Sequence, residues 1–419
     1  MPVQTATPPS AASLPAAFHR LAWSNLAAQC AEQICLAATP IVAVFTLGAG
    51  AGQTGWLQTA QTMPFLVLSV VLGVWADQTS RQKLMACAEA VRCAALLAIL
   101  AALVTGSLSL PVLAVCGFIA ACGTVAYNVA APALVTTLVE RGAWAAANGR
   151  IELARSVAYS AGPAIGGLLV GMIGAPVAFI TAAGLSAVAV LLLAKIREPA
   201  RAPTETRRFT SELRDGATFV AGNALLRAVV STAVFFNIGF FVIQAVYVPY
   251  ARLHLGLSAA EVGATLAAYG VGMIIGALCA PKISMLLPFG RVLIVGPLCG
   301  LAASLTLCVT LFVPSPWIAS AAYFELGFGP ILWVISSTTL RQAITPQAML
   351  GRVSALISTA TYGSRPVGAL IGATLGGAAG ARPCLVVAVA AFAIQAFIIL
   401  RSPAARLDDL PASALTTHK

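Results

Sequence analysis

From residue 21 to residue 400 the chain alternates long apolar runs with short polar interruptions. The runs cover 21–46, 55–76, 84–106, 111–139, 151–174, 176–194, 225–250, 259–281, 291–313, 316–340, 352–378 and 383–400. A helix crosses a hydrocarbon layer about 30 Å thick with roughly 20 residues, and each run is close to or above that length. A backbone in lipid must satisfy its own polar groups, so runs of this length imply α-helix. The pattern predicts an all-α membrane protein with twelve transmembrane helices. The longest polar stretch, KIREPARAPTETRRFTSELRDGATFVAGN from Lys195 to Asn223, separates six runs from six. The expected organisation is a cytoplasmic tail at 1–19, a six-helix bundle at 20–194, a cytoplasmic linker at 195–223, a second bundle at 224–401 and a tail at 402–419. The first tail is rich in Pro, Ala and Ser and has no Lys or Arg before Arg20, which fits disorder rather than a signal peptide.

Composition supports the pattern. Hydrophobic residues make up 59% and charged ones 9%, too few charges to cover a water-soluble protein of 419 residues. The net charge of +11 is distributed by topology and does not signal nucleic acid. Arg20, Arg81, Lys83, Arg141, Arg150, Lys195, Arg197, Arg201, Arg207, Arg208, Arg214, Lys282, Arg291, Arg341, Arg352 and Arg401 fall on one set of alternate ends, and only Arg252 and Arg382 lie on the other. The first set marks the cytoplasmic face, which both termini share. All 10 cysteines lie in apolar spans without CxxC spacing and read as small buried hydrophobes. GAGQTG at 50–55 satisfies GxGxxG but joins two apolar runs and follows no strand, so it reads as a turn. The chain holds no GxxxxGK[ST], HExxH or GxSxG, which argues against an ATP-driven pump, a zincin or a serine hydrolase. No catalytic residue, metal site or cofactor is expected.

The halves also resemble each other. GRIELARSVAYSAGPAIGGLL from Gly149 and GRVSALISTATYGSRPVGALI from Gly351 align at a fixed offset, pairing Arg150 with Arg352, Ile165 with Val367 and Gly166 with Gly368. Such a repeat indicates a duplicated six-helix unit. The Gly and Ala content of both copies permits close backbone approach, either as ordinary helix packing or as the seam between two halves that rock.

One charged stretch carries more specific information. GVWADQTSRQK, with Gly73, Asp77 and Arg81, resembles the cytoplasmic signature between helices two and three of the major facilitator superfamily. AANG at 146–149, SELRDGATFV at 211–220 and LRQAITPQAMLGRVSA at 340–355 resemble the branch of proton-coupled efflux permeases that includes the enterobactin exporter. The resemblance spans residues 20–401 and implies two pseudo-symmetric six-helix bundles. Asp77 ends a span where its carboxylate can meet cations and helix N-termini once the halves close at the cytoplasm, with Arg352 as preferred partner. AYSAGPAIGG at 158–167 resembles the helix-five pattern of the superfamily's antiporters through Gly162, Pro163, Gly166 and Gly167.

Charge inside the spans is costly and therefore informative. Glu89 with Arg92 and Glu152 with Arg155 are spaced to neutralise each other along one helix. Glu32 has no cation within a helical turn and sits on a polar helix with Asn25, Gln29 and Gln33. The resemblance implies that helices one, four, seven and ten line a central cavity. Glu32 then becomes the proton-coupling residue, and Glu325 the reserve. Asn25, Gln29, Tyr127, Asn128, Asn237, Gln244, Tyr247 and Arg365 become the lining, each equally open to plain interhelical hydrogen bonding. Arg365 can serve as counter-charge to either Glu or hold carbonyls beside Pro366. The expected partners are a small-molecule substrate, protons and the bilayer, with no nucleic acid, and the chain is expected to act as a monomer. The reading is export of a small amphipathic molecule across a bacterial inner membrane by proton antiport and alternating access. A siderophore is favoured as substrate, and multidrug efflux is the alternative. Nutrient import and a non-transporting membrane sensor also remain open. Asp77→Asn is expected to lower transport in vesicles without altering expression, since a charge-assisted contact is worth about 1 to 3 kcal/mol. Normal transport in that variant would exclude the latch.

Overall fold

The computed structural model describes residues 14–68, 71–72, 75, 79–140, 143–198 and 209–411, without side chains at 145, 146, 149, 152, 160, 209–213, 347, 348 and 355. Twelve long helices follow one another: α1 Ala16–Phe45, α2 Ala51–Val67, α3 Arg81–Val104, α4 Leu110–Leu138, α5 Trp144–Leu168, α6 Ala175–Ala194, α7 Ala224–Leu253, α8 Ala259–Leu286, α9 Phe289–Val309, α10 Pro316–Ile344, α11 Gln347–Ala379 and α12 Ala381–Arg401. A thirteenth, the linker helix Phe209–Gly222, lies between α6 and α7. Ten of the twelve are long and apolar enough to cross a membrane. The other two are α2, with 17 described residues, and α11, where Arg352 and Arg365 stand among Gly, Ser and Thr. These two pack on each other.

Each half repeats the same packing. In the first, α1 packs on α5 and α6, α3 on α4 and α6, and α2 on α4; the second reproduces this with α7 on α11 and α12, α9 on α10 and α12, and α8 on α10. The sequence repeat holds at atomic level. A methyl on Gly166 of α5 would stand 2.8 Å from the Ile34 carbonyl of α1, and Gly368 of α11 presses likewise on Ile238 of α7. Between halves the main contacts are α2 with α11 and α5 with α8.

These contacts concentrate at the end of the bundle opposite the one where α1 begins and α12 ends. There a methyl on Gly52 would lie 2.6 Å from the Cα of Gly377, and Gly55 meets the Ala373 backbone. On the other side Gly167 and Gly263 meet backbone to backbone, and Gly171 meets Ala260. Thr54 Oγ1 donates to the Ala245 carbonyl at 2.7 Å, and Arg252 donates to the Val44 carbonyl, tying α2 to α7 and α7 to α1. Beyond Gly167 the chain widens into a π turn, Leu169–Ile173, which ends at Gly174 with φ 117°. That backbone conformation favours glycine.

Several boundaries differ from the sequence pattern. Helix α1 begins at Ala16, inside the expected tail, because Phe18 is fully buried and anchors its first turn; residues 1–13 lie outside the described residues. GAGQTG is the start of α2 rather than a turn. Gly50 precedes the helix and donates to Gln53 Oε1 at 3.0 Å, while Gly52 and Gly55 belong to the seam. The linker, of which 199–208 lie outside the described residues, ends in an amphipathic helix that lies along α11. Its Gly216 faces the Arg352 carbonyl, and Val220 packs with Val353 and Ile357. The C-terminal segment, described to Pro411, returns to α9, where Leu407 and Asp408 carbonyls accept from Gly290 N at 2.7 Å and Phe289 N at 3.0 Å. Cys35, Cys116 and Cys384 are buried as expected, whereas Cys87 is exposed.

Gly167→Leu is expected to force α5 from α8, because overpacking of this kind costs about 1–3 kcal/mol. In a cysteine-depleted background, a cysteine at Ala260 should then gain reactivity toward an impermeant maleimide. Unchanged labelling would mean that the seam absorbs the bulk.

Candidate functional site

Between the halves lies a deep cavity of about 190 Å³. Residues 236, 237, 240, 241 and 244 of α7 line it at the spacing of one helical face, so Phe236, Asn237, Phe240, Phe241 and Gln244 all point inward. Helix α1 contributes Glu32 and Gln33, α2 Gln58, Gln61 and Phe65, α5 Tyr159 and Pro163, α8 Tyr269, α10 Tyr323 and α11 Arg365. Glu32 is only 8% exposed, and its Oε2 has no hydrogen-bond partner among the described residues. A buried polar atom without a partner is rare enough to call for a reason.

Arg365 is held across the cleft from Glu32. Its Nε donates to Asn237 Oδ1 at 3.3 Å, while Asn237 Nδ2 donates to the Ala233 carbonyl at 2.9 Å. The guanidinium lies over three rings, Tyr362 at 4.4 Å, Phe241 at 5.3 Å and Phe65 at 5.5 Å. Aromatic faces carry negative potential, so this cage stabilises the cation without a carboxylate. Among the described residues Arg365 clamps no carbonyl and makes no direct ion pair, so it faces Glu32 across the cleft as a charge at a distance. Gln244 Oε1 accepts from Tyr323 Oη at 3.3 Å.

Toward the end carrying the termini the cleft widens into a second cavity of about 830 Å³. It shares Tyr159, Phe236, Asn237, Tyr269 and Arg365 with the first and adds Arg155, Arg341, Trp333, Ser337, Ser358 and Thr361. Arg341 and Tyr323 were missed as site residues. Arg341 was counted only among the basic residues at the cytoplasmic ends, but α10 continues to Ile344 and carries it inside the bundle.

Other expected residues have different surroundings. Tyr247 is fully buried between helices, donates to Thr265 Oγ1 at 2.5 Å and lies tilted against Tyr323 with ring centroids 4.4 Å apart, so Tyr323 takes the cavity position. Tyr127 is buried against α1, hydrogen-bonded to Ser24 at 3.1 Å. Gln29 Nε2 donates to Asn128 Oδ1 at 3.1 Å, an α1–α4 bond, and Asn25 is buried; none of these four lines either cavity. Glu325 faces α9, accepting from Thr306 Oγ1 at 3.1 Å, and is absent from both linings. Helical phase explains these departures, since one residue of rotation turns a side chain through about a quarter of the circumference.

The helix-five glycines divide the work. Gly162 and Gly166 admit α1 at Gln33 and Ile34, Gly167 admits α8, and Pro163 lines the deep cavity. Glu89 and Arg92 pair at 2.8 Å as expected, and Arg92 also donates to the Ala28 carbonyl at 3.0 Å and Thr124 Oγ1 at 2.6 Å. The Glu152 side chain, Gly73 and Asp77 lie outside the described residues. Arg81 donates to the Ala133 carbonyl at 2.8 Å and Thr137 Oγ1 at 3.0 Å, and Arg352 to Asp215 Oδ2 of the linker helix at 3.1 Å.

Comparison with known proteins agrees with this architecture. The multidrug efflux pump Tap of Mycobacterium tuberculosis is 26% identical over 406 residues, with 94% of each chain covered. A bacterial homologue of the iron transporter ferroportin, solved in an inward-facing state, superposes with a TM-score of 0.70 at 13% identity, covering 92% of this chain and 98% of that one. A variant of the nucleoside transporter NupG gives 0.69 at 11% identity, covering 92% and 99%. These structural likenesses concern the fold alone. Residues 21–369 match the sequence model of the Major Facilitator Superfamily, and with twelve helices in two equivalent sets of six around a central cleft, the chain belongs to that superfamily of transporters.

Proposed function

We propose that the protein exports small amphipathic, drug-like molecules across a bacterial inner membrane by alternating access, with protons moving the opposite way through Glu32. The termini, on this reading, lie in the cytoplasm. The observation that carries the proposal is the continuous cleft. It is narrow and backbone-sealed at the far end, and it widens toward the end where the chain starts and finishes. A molecule entering from the widened end reaches Glu32 and Arg365 and stops at the seam. Reversal of the seam would present the same residues to the other side.

Two observations favour drug-like cargo over a siderophore. Aromatic residues are only 7% of the chain, yet Phe65, Tyr159, Phe236, Phe240, Phe241, Tyr269 and Tyr323 all line the deep cavity. Such a wall binds flat apolar molecules by area and ring contact rather than by oxygen donors. The relative matched over nearly the whole chain is a multidrug efflux pump, whereas the siderophore expectation came from short segments.

Glu32 suits proton exchange because its carboxyl borders the cavity and its Oε2 has no partner among the described residues, so water reaching the cavity can deliver or remove a proton. Glu32→Gln is expected to abolish efflux driven by a pH gradient while substrate binding is retained, as measured in everted vesicles. Efflux that persists would move coupling to another group. Deletion of the gene should raise sensitivity to lipophilic antibiotics and leave secretion of a self-made iron chelator unchanged. The opposite result would restore the siderophore reading.

A further inference from the structure

The wide cavity has a charge pattern of its own. Its lining includes Arg155, Arg341 and Arg365 from three different helices and contains no Asp or Glu among the described residues. Among the described residues the Arg341 side chain has no ion pair or hydrogen bond, and its Nε is buried without a partner. The cage holds Arg365 by Nε and by its faces, and the terminal nitrogens have no hydrogen-bond acceptor among the described residues. Desolvated donors without acceptors are costly, and an incoming anion would relieve that cost for both residues at once.

The surroundings fit the rest of such a ligand. Ser337, Ser358 and Thr361 supply hydroxyls near the cations, while Trp333, Tyr269 and Phe236 form an apolar wall toward the deep cavity. Guanidinium groups match carboxylates, phosphates and sulfonates through paired donors. We infer that the wide cavity binds the acidic group of an amphipathic molecule between Arg341 and Arg365, with its apolar body against the aromatic wall. This names the substrate class for the path described under the proposed function and rests on that reading. The same acidic chemistry could belong to a transported solute or to a lipid headgroup, and a bilayer comparison separates the two.

The test uses the full chain in phosphatidylcholine nanodiscs and three naphthalene probes of matched size, bearing a sulfonate, no charge or a trimethylammonium group. Quenching of Trp333 fluorescence, in a background with the other tryptophans replaced, reports occupancy. The sulfonate probe is expected to bind about tenfold more tightly than the ammonium probe, the size of one charge-assisted contact. Arg341→Gln should remove that preference and Arg341→Lys should restore part of it, with the neutral probe unaffected in both. Repeating the titration with phosphatidylglycerol in the bilayer assigns the source: displacement of the sulfonate probe identifies a headgroup, and unchanged affinity a solute. Equal binding of all three probes, insensitive to Arg341→Gln, would overturn the inference and leave the transport path intact. Failure of all three to bind would remove the cavity as a substrate path and the inference with it.

Discussion

At the tightest points between the two halves neither carries a side chain. Gly167 against Gly263 and Gly52 against Gly377 bring helix backbones into contact at one end of the molecule. Helices in lipid gain no hydrophobic driving force from touching each other, so the contact depends on dispersion and on shape. Dispersion falls off within an ångström of separation. Such a seam is either fully made or lost, and that suits a device with two positions. Everything else in the cleft follows from it. Two bundles pinned at one end diverge toward the other, and the wedge between them is the cavity.

The halves bring opposite charges to that wedge, each fixed differently. Arg92 secures the first bundle by pairing with Glu89 in α3 and donating to α1 and α4, so the wall that carries Glu32 is braced by three helices. Arg365 on the second bundle is steadied by rings and an amide rather than by an acid. Since α2 contributes Phe65 to that cage, the aromatic contact crosses the cleft. The position of Arg365 is therefore sensitive to how the two bundles sit, and a change in their separation alters the field at Glu32.

Much of the architecture was legible in the sequence because lipid imposes a single solution on every span. Run lengths and the repeat around Gly166 and Gly368 have direct structural counterparts. Asn237, Gln244, Glu32 and Arg365 were also found, since a polar group in an apolar helix must face something other than lipid. What it faces was not legible. Tyr127 turns to Ser24, Tyr247 to Thr265 and Glu325 to Thr306, because a helix of mixed composition gives no phase from its own pattern. The glycines of GAGQTG looked like a turn for the opposite reason. The requirement at Gly52 and Gly55 is imposed by α11, more than three hundred residues away in sequence, and no local window contains it.

The return of the C-terminal segment to α9 bears on the order in which the molecule can be completed. The first amides of a helix lack partners within it, and in α9 two of them, Phe289 and Gly290, are satisfied by the carbonyls of Asp408 and Leu407. Those acceptors leave the ribosome more than a hundred residues after the amides they cap. Most packing partners of the first bundle lie within it, with α2 and α5 also meeting the second half at the seam, and it can assemble during synthesis, as amino-terminal units commonly do. The second keeps one helix end uncapped until Leu407 and Asp408 emerge, which makes the arrival of that late segment a step in its folding.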